Sequence, residues 1–186
     1  HRQHNHVLRL EARKPNAEGA GEVTLDDHLR SALRKRPDRI IIGECRGAEA
    51  YTMLEAMNTG HEGSLTTIHA NDPVSALTRL VTLVKQGDPT LSEDTVRSKI
   101  AAALDLVVQV QRLSDGSRRI TSIEAIGDNI DGHIQHEQLF YFDKSSPDAA
   151  PAHRSCRVQP GQVRQRICEA GYVYEPGWFI DELEAA

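Results

Sequence analysis

Ile40-Ile41-Ile42-Gly43-Glu44-Cys45-Arg46-Gly47 decides how the rest of this 186-residue chain is read. From Asp38 to Gly43 the run is short, β-branched and almost wholly apolar, as suits a strand buried on both faces of a parallel sheet. Ala48 to Asn58 continues at helical spacing, with Met53, Leu54 and Met57 on one stripe and Gly60 as the stop. Ser64 to His69 is a second strand-like run. Strand, helix and strand of these lengths form a crossover unit, whose two strands lie side by side in parallel, about 4.8 Å apart. Ligands of α/β proteins bind at the C-terminal edge of such strands, where strand ends and helix N-termini converge. Glu44, Arg46 and His69 are delivered to that edge.

Toward the N-terminus, Thr24-Leu25-Asp26-Asp27 starts a helix, with Thr24 as cap and Asp27 as capping-box acid, and Pro37 ends it. Pro15 to Gly21 is a loop, and Val7 to Arg13 alternates in the manner of a strand. Toward the C-terminus, Asp72-Pro73 and Ser92 cap two further helices, the second running to about Leu104. The period then changes. Leu106 to Leu113, Arg119 to Ile126 and Ile134 to Phe142 read as strands joined by turns at Asp115-Gly116 and Asp131-Gly132. The expected organisation is α/β: a parallel core over residues 1–104, a small antiparallel meander over 105–142, a linker over 143–159 and a short helical tail over 160–186.

Composition narrows the function. A hydrophobic content of 39% is enough for a real core, and a formal net charge of -5 argues against a dedicated nucleic-acid binder. Three irregularly spaced cysteines, Cys45, Cys156 and Cys168, fit a reducing compartment. No apolar run approaches the roughly 20 residues of a membrane helix, and no signal peptide opens the chain, so a cytoplasmic protein is expected. The chain begins without Met, in mid-pattern, as a truncated product or a fragment does.

A carboxylate at the end of a buried strand, as at Glu44, can polarise an attacking water or orient magnesium through water. It can equally cap the following helix. Arg46 suits a phosphate, or an ion pair with Glu44 or Glu49. His69 can hydrogen-bond a γ-phosphate, or be a satisfied, partly buried histidine; His61 is a weaker candidate for the same role. His61-Glu62 does not continue into H-E-x-x-H and no C-x-x-C occurs, so no direct protein metal site is expected. None of the five lysines follows a glycine, so the phosphate-gripping G-x-x-x-x-G-K-[ST] does not occur in these residues.

Leu33 to Gly47 resembles the Walker B signature of the type II/type IV secretion ATPases, and Ala56 to Ser64 with Thr67-Ile68-His69-Ala70-Asn71 resembles their His box. The wording is most similar to the tight-adherence (Flp) pilus assembly branch, and the resemblance spans nearly the whole chain. It implies a partial RecA-like P-loop NTPase core, Glu44 as the glutamate that activates water, and His69 as the His-box residue near the γ-phosphate. It also implies nucleotide contacts from Arg46, His61 and Thr67, and from Arg9 and Arg13, which fall where the family places arginines. ATP and Mg2+ are the implied cofactors, with magnesium reached through Glu44. The implied assembly is a homo-hexameric ring, peripheral at the cytoplasmic face of the inner membrane, where it engages secretion or pilus platform proteins. The family's phosphate loop and Asp box lie upstream of the segment resembled. Two alternatives stand beside the motor: a nucleotide-incompetent interaction module that docks onto ring subunits, and a metal-dependent hydrolase using Glu44 and His69.

Overall fold

A computed structural model describes residues 6–143, 152–156, 161–173 and 175. The chain divides into two compact units, the first built from residues up to Ile68 with Thr82–Thr90, the second from His69–Val81 with Leu91 onward.

In the first unit, helix α1 (Leu25–Leu33) opens on the expected capping box: Thr24 Oγ1 accepts from Asp27 N–H, and Asp27 Oδ2 accepts from Thr24 N–H at 2.9 Å. Strand β1 (Ile41–Ile42) pairs in parallel with β2 (Leu65–Thr66), Ile41 opposite Leu65 and Ile42 opposite Thr66. Helix α2 (Glu49–Met57) makes the crossover and buries Ala50, Met53, Leu54 and Ala56. Leu29 and Ile42 join that core. Thr52 Oγ1 also donates to Asp26 Oδ1, tying α2 to α1.

Two expectations are corrected here. The Asp38–Gly43 run is buried on one face only: Ile42 is 3% exposed and Ile41 74%. Leu65, opposite Ile41, is exposed as well, because the described residues of this unit place only two strands in the sheet and layer α2 against one side. Val7 to Arg13 forms no strand. Only Arg13 bridges, to Val23, and Val7, Leu8 and Leu10 stay exposed, since alternation makes a strand only where a neighbour accepts its hydrogen bonds.

Helix α3 (Pro73–Gly87) begins as expected, with Asp72 Oδ1 accepting from Ser75 N–H at 2.8 Å. Leu83 and Val84 belong to the first unit's core, and Ala76, Leu77, Leu80 and Val81 to the second's. In the second unit, Ser92 caps α4 (Glu93–Ala103), whose Val96 and Ile100 are fully buried. α4 packs on a four-stranded antiparallel sheet ordered β3 (Leu106–Arg112), β4 (Arg118–Ile130), β5 (His133–Asp143), β6 (Ala152–Ser155). Both turns form where expected. Asp131 and Gly132 take φ of 51° and 75°, the pair of left-handed residues that a tight hairpin needs.

The fourth strand is a correction to the linker expected over 143–159. Residues 152–155 pair with β5, Phe140 opposite Ser155 and Asp143 opposite Ala152. Val163 of helix α5 (Gly161–Glu169), like Ile123 and Phe140, packs against the buried pair Ala125 and Leu139. The rest of the expected linker, and the expected tail beyond Glu175, lie outside the described residues.

Candidate functional site

The two parallel strands end at one rim of the first unit, and two hydrogen bonds fix that rim. Leu65 N–H donates to Ile40 O at 3.0 Å where the strands begin; at the rim Cys45 N–H donates to Thr67 O at 2.8 Å, and Thr67 Oγ1 donates to Gly43 O at 2.6 Å. Glu44 leaves β1 half-buried at this rim, and Arg46 stands exposed two residues on. A Cβ placed on Gly43 would meet nothing within 4 Å, so the approach to the strand end is open. Thr67 is thereby joined to the segment that carries Glu44. The sequence assigns Thr67 only by resemblance; its hydroxyl bond to a carbonyl 24 positions away is a tertiary fact.

Glu49 organises the turn from Gly43 into α2. Its Oε1 accepts from Arg46 N–H at 2.7 Å and from Gly47 N–H at 2.8 Å. Burial pushes the Cys45 thiol up to about 12, helped by the nearby carboxylates of Glu49 and then Glu44, so it stays a thiol and packs as a small apolar group. Reading the sequence alone assigns Glu49 only as a partner for the Arg46 guanidinium; the contact made is with the Arg46 amide. An acid in the first turn of α2, two residues past a glycine, is the signal that points to it.

His69 is exposed, two residues beyond Thr67 in the chain. His61 sits past the C-terminal end of α2, its Nδ1 3.1 Å from Ala56 O, and therefore at the end of that helix away from the Glu44 turn. Arg9 is exposed. Arg13 Nε donates to Gly21 O at 2.7 Å and braces its own loop. Among the described residues no group of three or more His, Cys, Asp or Glu side chains could hold a metal ion, which gives the metal-hydrolase reading no ligand set. Glu44 at an open rim does fit magnesium of the kind that keeps its waters and takes one or two carboxylates.

Residues 1–174 match the family described as type II/IV secretion system protein. The chain belongs to that family. A putative conjugal transfer protein of Mycobacterium tuberculosis is 41% identical over 152 residues, 81% of this chain and 42% of that protein. The conjugal transfer protein TrbB of Rhizobium radiobacter is 40% identical over 118 residues, 63% of this chain and 35% of that protein. Among solved structures, the VirB11 ATPase of the Brucella suis type IV secretion system, in complex with sulphate, superposes with a TM-score of 0.52 at 35% identity. That match covers 54% of this chain and 31% of VirB11. The chain thus spans about two fifths of the length of the first curated relatives it matches. As a type II/IV secretion family member it has the expected mixed α/β fold. No helix of the described residues is long and apolar enough to cross a membrane.

Proposed function

We propose that this chain supplies the hydrolytic rim of an ATP-driven secretion motor. One observation carries the reading: β1 and β2 pair in parallel and are cross-bonded at Gly43, Cys45 and Thr67, so the segments bearing Glu44 and Thr67 leave one rim. Glu44 orients and polarises the water that attacks the γ-phosphate. Arg46 supplies a planar cation for phosphate oxygens. Thr67 holds the second strand end to the first, and His69 hydrogen-bonds the γ-phosphate or senses its loss. Magnesium, when bound, neutralises charge that develops on the phosphate oxygens. Family membership and a VirB11-like fold support the reading, and the names of the relatives point to type IV secretion and conjugal transfer. On this reading the protein works in a homo-hexameric ring at the cytoplasmic face of the inner membrane, against platform proteins. Service in Flp pilus assembly is the finer form of the proposal.

The phosphate-gripping sequence does not occur in these 186 residues, so the reading assigns the grip to residues other than these. The same observation favours the second reading, an interaction module that docks on ring subunits without turning over nucleotide. A chimera decides between them, with the amino-terminal part of the Brucella suis VirB11 ATPase joined ahead of this chain. The motor reading expects ATP hydrolysis, and expects Glu44→Gln to lower it roughly 10²- to 10⁴-fold, the usual worth of a positioned acid–base group, while nucleotide stays bound. Hydrolysis undiminished in Glu44→Gln removes Glu44 from the catalytic role. No hydrolysis by the parent chimera leaves the interaction module as the better account.

A further inference from the structure

Three backbone amides follow Glu44, and each is already engaged. Cys45 N–H donates across the sheet to Thr67 O, and the N–H groups of Arg46 and Gly47 both donate to Glu49 Oε1. Glu49 is 8% exposed and opens α2, where the positive helix end favours a carboxylate. Gly47 makes the arrangement possible, since a Cβ there would stand 2.9 Å from Glu49 Oε2. Free amides in a turn that enters a helix are a common means of gripping phosphate. Here a carboxylate of the chain itself takes the place an anion would hold.

We propose that Glu49 is the positioning residue of this rim. Its carboxylate fixes the turn that presents Glu44 and Arg46 and takes the two amides that the Cys45–Thr67 bond leaves, so a nucleotide phosphate is met there by side chains, Arg46 above all, and not by backbone. The purpose of this device rests on the hydrolytic reading of the rim; the bond pattern itself does not.

Amide hydrogen exchange followed by NMR on the full 186-residue chain tests it, with inorganic phosphate as the probe. In Glu49→Ala the amides of Arg46 and Gly47 exchange roughly tenfold faster or more, the consequence of losing a charged acceptor. The amides of Met53 to Met57 keep their protection. Glu49→Gln keeps an acceptor oxygen and loses only the charge, so it restores most of the protection at Arg46 and Gly47. Added phosphate shifts those two amide resonances in Glu49→Ala and leaves them unmoved in the parent chain. Unchanged exchange in the Ala variant, loosening spread evenly through α2, failure of Gln to restore protection, or no phosphate response each overturns the proposal. Should Glu49→Ala not fold, Gly47→Ala crowds Glu49 Oε2 and is expected to loosen the same two amides; unaltered exchange there counts against the assignment equally. None of these readouts involves hydrolysis, so Glu49 can fail while Glu44 stands, and the reverse.

Discussion

Cys45 shows how one side chain reports its surroundings. It is 1% exposed, beside two carboxylates, and both burial and those charges disfavour the thiolate. We expect Ellman's reagent at pH 8 to modify the exposed Cys168 rapidly and Cys45 only as fast as the first unit opens. Linkage gives the sign of the pH effect. Below the ordinary value of 9.0 the thiol is protonated in folded and unfolded chains alike and has no effect. Between 9.0 and about 12 the unfolded chain loses a proton that the folded chain keeps, so stability falls as pH rises through that window. Urea midpoints at pH 8 and 10.5 check this, and Cys45→Ala removes the added alkaline sensitivity. The sequence shows a cysteine between a glutamate and an arginine, which gives no hint of inertness. Its environment depends on Glu49 folding back and on the core closing over it.

Helix starts in this chain are decided within four residues, and all three that the sequence marks are made: Thr24 with Asp27, Asp72 with Ser75, and Ser92 with Thr95. The close fit of the end of α3 to the start of α2 has no such local signature. A Cβ on Gly87 would stand 2.6 Å from Tyr51 Cβ and 2.7 Å from the backbone oxygen of Ala48, neither of which is a flexible chain end. Gly87→Ala is therefore expected to destabilise by about 1–3 kcal/mol, the usual cost of overpacking, even though alanine is the better helix former. Chemical denaturation of the two chains checks it, and a stabilised variant would mean that the contact is not there. Strands were less legible than helices. Residues 152–155, Ala-His-Arg-Ser, carry no alternation that marks a strand, and they become β6 only because β5 offers them an edge.

Two properties belong to the whole chain. The first is nucleotide grip: with no phosphate-binding loop in its sequence, the chain is expected to show no saturable ATP binding by calorimetry at micromolar nucleotide. Tight binding would show that these residues hold phosphate by another route. The second is solubility. Among the described residues β3 is an outer strand, and Leu106 to Gln111 carries no charge, proline or glycine to blunt it. Leu106, Val108 and Val110 are 44%, 49% and 54% exposed along it. Such an edge invites association, so light scattering is expected to rise with concentration and to fall in Val110→Lys; equal scattering by both chains would acquit the edge.

By itself the sequence determined the caps, the two hairpin turns, the strand–helix–strand order and the family signatures around Glu44 and His69. Those rest on groups a few residues apart, whose encounter costs little chain entropy and needs no partner element. Only the tertiary structure decided that β1 is covered on one face, that Thr67 binds Gly43, and that Glu49 takes the amides of Arg46 and Gly47. The first two depend on what packs from distant sequence. The third turns on how a buried carboxylate satisfies itself once water is excluded, and several local partners were open to it.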